Sequence, residues 1–158
     1  MRLIAETAAW AKSKGKNLYE LLIDIYLEFG FYKEALENVV RKGKSGAEEI
    51  QKMMNGFRND PPKTLGGSEI IKIHDYLTQK SYDLQSRKEG NLALPKSNVL
   101  QLFLQNGSKI SIRPSGTEPK IKFYLSVKEP LLHKKDFLKV GEELDGRILA
   151  IKKDLGIY

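Results

Sequence analysis

The sequence predicts an α+β fold from about residue 44 onward, an antiparallel sheet with helices packed on one face. Three observations carry this. In KIKFYLSV, residues 120–127, Ile121, Phe123, Leu125 and Val127 alternate with Lys120, Lys122, Tyr124 and Ser126, the period-two pattern of a strand with one buried and one polar face. Asn106-Gly107 separates two apolar runs, a pair that supplies the positive φ angles of a tight hairpin. Phe137, Val140, Leu144, Ile148, Ile151 and Leu155 recur in steps of threes and fours, so the chain closes on a long amphipathic helix that can cover the sheet.

Taken in order, residues 3–14 predict a helix, with Leu3, Ile4, Ala8 and Ala11 at helical spacing and Gly15 placed to end it. Trp10 falls off that stripe, as a residue packed on a neighbouring domain would. Asn17 with Glu20 is a capping-box pattern for a second helix carrying Leu18, Leu21, Leu22, Ile25, Tyr26 and Phe29 up to Gly30. The stretch FYKEALENVV suits a helix by propensity and a strand by its aromatic and β-branched ends. Ser45 with Glu48 is a second capping-box pattern, and Ile50, Met53, Met54 and Phe57 define the apolar stripe of the helix it opens.

NDPPKTLGG, residues 59–67, is a connection, because proline and glycine interrupt regular backbone. IIKIHDY then alternates as a short strand. Residues 77–98 are polar and unpatterned and read as a long loop. The runs 98–105 and 108–113 should pair across Asn106-Gly107.

Composition narrows the chemistry. With 158 residues, the chain can form one good core, or one domain and part of another. The absence of cysteine rules out disulfides, zinc–thiolate sites and a catalytic thiol within this sequence. MRLIAETAAWAKSKG carries charge within its apolar stretch and fails as a signal peptide, and no apolar run approaches the roughly 18 residues of a membrane helix. A cytoplasmic setting with no membrane partner is expected. The formal charge of +7 predicts an anionic ligand. His74 and His133 lack metal-ligand spacing and read as surface or half-buried side chains.

Residues 113–119 read RPSGTEP. Arg113 offers a planar fork that matches two phosphate oxygens. Ser115 and Thr117 add hydroxyl donors, and Gly116 admits a ligand close to the backbone. Lys122 follows on the polar face of the outgoing strand. Glu118 is discordant, because a carboxylate repels an anion; facing away, capping a backbone group, or pairing with a lysine would each reconcile it. A plain turn would use many of the same residue types.

Arg-Pro-Ser-Gly-Thr-Glu-Pro, flanked by strands, resembles the phosphate-binding loop in the C-terminal domain of the α-D-phosphohexomutases, the phosphoglucomutase and phosphomannomutase family. The resemblance implies a TBP-like α+β domain over residues 45–158, preceded at 1–44 by the tail of the third domain, with FYKEALENVV as a strand. It implies that Arg113, Ser115, Gly116, Thr117 and Lys122 grip the phosphate of a phosphosugar that is not being transferred. The family's phosphoserine loop, Thr-x-Ser-His-Asn-Pro, and its Asp-x-Asp-x-Asp metal loop are absent from this sequence. Catalytic residues and the Mg²⁺ site are therefore expected outside it, in N-terminal domains that would be its partners, leaving this piece inactive alone. GEELDG, residues 141–146, bears a superficial likeness to the sugar-reading loop, but Glu142 and Glu143 fall within the terminal helix stripe. The alternative is a basic nucleic-acid-binding or protein-interaction module, with lysines and Tyr124 on the sheet's polar face; the resemblance implies no nucleic acid.

Overall fold

Asn17 begins the second helix as its sequence requires. Its side chain accepts a hydrogen bond from Glu20 N, while the Glu20 carboxylate accepts from Asn17 N, both at 2.9 Å. The computed structural model describes residues 2–41, 43 and 45–157. The domain boundary expected at residue 44 falls on Lys44, outside the described residues.

The chain divides into two units, Met1–Lys33 with Lys128–Asp145, and Glu34–Val127 with Gly146–Tyr158. The first contains α1 (Arg2–Ser13), α2 (Leu18–Phe29) and the first turns of α4 (Phe137–Asp154). Its packing centres on stacked rings: Phe31 lies 4.4 Å from Tyr26 and 4.9 Å from Phe137 between centroids. Asp24 receives Lys16 at 2.5 Å and Lys134 at 2.8 Å. These hydrogen bonds, that from Lys134 foremost, hold its carboxyl below the usual range. Within α1 only Ala11 is buried, whereas Leu3 and Ile4, on the expected stripe, are 79% and 69% exposed. Trp10 is also exposed.

An eight-stranded sheet makes up most of the second unit. Its strands are β1 (Phe31–Val40), β2 (Thr64–Leu65), β3 (Ser68–Asp75), β4 (Lys80–Asp83), β5 (Lys88–Asn91), β6 (Leu100–Leu104), β7 (Lys109–Pro114) and β8 (Lys120–Glu129). The order is β1-β8-β7-β6-β3-β4-β5, with β2 pairing β3. FYKEALENVV is thus a strand. Period-two burial follows the sequence closely: Leu100, Leu102, Leu104, Ile110, Ile112, Ile121, Phe123, Leu125 and Val127 are almost fully excluded from solvent. Helix α3 (Gly46–Asn59) covers this face with Ile50, Met54 and Phe57, the Phe57 ring meeting Phe123 edge-on at 5.8 Å. In the last turns of α4, Ile148, Ile151 and Leu155 are buried. Arg58 and Asp75 form an ion pair nearly shut off from water.

Three local expectations are corrected. Ser45 makes no side-chain cap; its backbone is already helical, and its hydroxyl donates to Glu49 instead. The 77–98 segment is not a loop throughout, because β4 and β5 form an antiparallel hairpin there. At Asn106-Gly107 the strands do pair, but Gly107 alone of the two takes a positive φ, +80°. Gly107 N donates to Leu104 O, and Leu104 N to Ser108 O, both at 2.9 Å, the pattern of a three-residue loop with a glycine bulge rather than a two-residue turn.

Candidate functional site

β7 and β8 hold the RPSGTEP segment as a connection between antiparallel neighbours. Their register places Arg113 opposite Lys122 and Pro114 opposite Ile121. Because Ile112, Ile121 and Phe123 point into the core, strand alternation puts Arg113 and Lys122 together on the open face. Like charges directly opposite one another are destabilising by roughly 0.2–1 kcal/mol. Among the described residues, no hydrogen bond or ion pair engages either side chain.

The connection is closed by Ser115 N donating to Lys120 O at 2.8 Å and Lys120 N to Glu118 O at 2.7 Å. Pro119 O accepts from Arg41 N at 2.9 Å, which ties the loop to the segment entering α3. A Cβ on Gly46 would lie 2.3 Å from Arg41 O and 3.2 Å from the Pro119 side chain, so the start of α3 needs glycine to approach the loop this closely. Gly116 differs. Its φ is not positive, and a Cβ there would meet nothing within 4 Å. The chain's own packing therefore has no need of glycine at this position.

Glu118 pairs with Lys120. That hydrogen bond, with the charges of Lys120 and Lys122, lowers its carboxyl below the usual range. Of the three ways to reconcile Glu118 with an anion site, the structure shows pairing with a lysine.

Ser115, Gly116, Thr117 and Glu118 line a cleft of about 450 Å³, together with Ile50 and Gln51 of α3 and with Asn98. Arg113 and Lys122 are not in its lining. Of the five expected contacts, Ser115, Gly116 and Thr117 thus line the cleft, while Arg113 and Lys122 face each other at the ends of the two strands that carry the loop. Asn98 and Gln51 escaped sequence reasoning, since neither lies in a motif and only folding brings them to the loop. Among the described residues, no group of three or more His, Asp and Glu side chains is placed to hold a metal ion. Nor is any described helix long and apolar enough to cross a membrane. His133 is exposed and His74 half-buried. Glu142 and Glu143 are exposed on α4.

A phosphoglucomutase of Staphylococcus aureus (strain MRSA252) is 36% identical over 148 residues, covering 94% of this chain and 26% of the relative. The chain is thus similar to a phosphoglucomutase over nearly its whole length. A second S. aureus phosphoglucomutase (strain bovine RF122 / ET3-1) is 38% identical over the same length. That of Staphylococcus haemolyticus is 35% identical over 125 residues, 79% of this chain and 23% of the relative. The chain spans about a quarter of the length of these curated relatives. Among solved structures, pp63/parafusin, an exocytosis-sensitive phosphoprotein and phosphoglucomutase of Paramecium in an open form, shares 18% identity at a TM-score of 0.45, covering 85% of this chain and 24% of that one. No protein-family model matches.

Proposed function

We propose that the chain is the C-terminal part of a phosphohexomutase and holds the non-transferred phosphate of a hexose phosphate while the 1-phosphate and 6-phosphate forms interconvert. The observation that carries this reading is the facing pair Arg113 and Lys122, two cations in register at the mouth of a hydroxyl-bearing loop. A bound phosphate relieves their repulsion and accepts charge-assisted hydrogen bonds. Gly116 supports it, because its missing side chain serves nothing inside the chain. Ser115 and Thr117 are the hydroxyl contacts.

The reading assigns residues 45–158 to the phosphate-binding domain and 1–44 to the tail of the domain before it. The exposure of the large apolar side chains Leu3, Ile4, Trp10 and Phe29 supports the second assignment, since a neighbouring domain would cover such surface. The phosphoryl-carrying serine and the Mg²⁺ ligands would belong to those other domains. Phosphoryl transfer depends on positioning and on metal-assisted charge stabilisation, so this chain binds without turning over. Glucose or mannose phosphate is the substrate class, and the setting cytoplasmic.

The test is a titration of the chain with glucose 1-phosphate and with inorganic phosphate, followed by amide chemical shifts. Affinity near 1 mM, about −4 kcal/mol, is expected, with shifts at residues 113–122 and at least a tenfold loss in Arg113→Ala. Unmoved loop amides at tens of millimolar ligand, or an Arg113→Ala variant that binds equally well, would refute it. Mutase activity of the chain alone would refute the division of labour.

A further inference from the structure

Arg58 and Asp75 raise a question that packing does not answer. Their side chains are only 10% and 8% exposed, and replacing such a buried pair with apolar residues is often neutral or stabilising. Besides pairing with Asp75 at 3.3 Å, Arg58 donates from Nη2 to Asn98 Oδ1 at 2.5 Å. Asp75 is fixed in turn by Leu77 N at 3.0 Å and the Thr78 hydroxyl at 3.1 Å. The network ends at Asn98, which lines the cleft beside the loop.

A guanidinium has donors and no acceptor, so Asn98 must present its oxygen to Arg58. That orientation leaves the Nδ2 hydrogens as its free polar capacity. Gln51, on the same cleft, donates through Nε2 to Asn55 Oδ1 at 3.2 Å, which leaves its Oε1 as an acceptor. A volume near 450 Å³ is in the range that encloses a whole small molecule. One donor and one acceptor across from a phosphate loop match a hydroxyl group, which both accepts and donates.

We infer that Asn98 and Gln51 read a hydroxyl of the phosphosugar bound at the loop, with Arg58 and Asp75 as positioning residues that fix the Asn98 amide. The inference rests on the phosphate-binding reading and adds sugar recognition to this chain. Inorganic phosphate binds the loop without engaging the pair.

The experiment measures the affinities of glucose 1-phosphate and inorganic phosphate for the unmutated chain, Gln51→Leu and Asn98→Ala. Each substitution should weaken glucose 1-phosphate about three- to tenfold, the worth of one neutral hydrogen bond, and leave inorganic phosphate unchanged. Gln51 is exposed on α3, so its variant keeps the test decisive if loss of Asn98 unfolds the chain. Equal changes for both ligands, or none for either, overturn the inference and leave the phosphate reading standing. If the unmutated chain binds neither ligand, or Arg113→Ala binds both unchanged, the phosphate reading falls and takes the inference with it.

Discussion

Asp75→Ala removes half of the buried ion pair that joins the end of β3 to α3. Arg58 Nε lies 3.3 Å from Asp75 Oδ1, and with side-chain exposures of 10% and 8% water cannot take the carboxylate's place. The stranded guanidinium keeps Asn98, while its Nη1 already lacks a partner among the described residues. Breaking a buried pair from one side costs about 3–5 kcal/mol; the existing Nη1 deficit is not incurred twice, which places the loss near the lower bound, about 3 kcal/mol. With a urea slope of about 2 kcal/mol/M, the midpoint should fall by about 1.5 M in unfolding followed by circular dichroism. The double change Arg58→Met, Asp75→Leu should recover most of that. A single-mutant loss below about 1 kcal/mol, or a double mutant as unstable as the single, would refute the stranded-charge argument. The second result would assign the cost to the Leu77 and Thr78 bonds.

Phe123→Ala should destabilise by about 3–5 kcal/mol, since the ring is fully buried against Phe57; urea unfolding measures it. Gly66→Ala should cost about 1–3 kcal/mol, because φ is +55° and the new Cβ would sit 2.8 Å from Ile151 Cγ1; a thermal midpoint unchanged within 1 °C would contradict this. Burial, and then the charge of Lys72, lower the His74 pKa below its ordinary 6.5. The unfolded chain therefore takes up the proton first, and stability should fall as pH drops through about 6.5. A His74→Gln variant should flatten the urea midpoint between pH 7.5 and 5.5 relative to the unmutated chain.

Where burial alternates strictly, as in β8 and β6, the sequence already spelled the element. The β4–β5 hairpin was illegible because none of its residues is fully buried, so no period-two signal arises, and its flanking left-handed positions are Gln79 and Arg87 rather than glycine or asparagine. β1 was ambiguous because Tyr32, Leu36 and Val40 are apolar or aromatic yet point to its exposed side. Loop residues 113–119 were readable as a contiguous string. Asn98 was not, because its significance lies in Arg58, forty positions earlier, and in an amide orientation that only the fold defines.

The outermost strand β5 has a consequence for the chain in crowded solution. A sheet margin offers unpaired backbone groups that can recruit a second molecule by strand addition, the first step toward aggregates. Here that margin is four residues long, Lys88-Glu89-Gly90-Asn91, all exposed. Charge of both signs, a glycine and brevity make it a poor template, so a hairpin without apolar burial of its own serves as the guarded hem of the sheet.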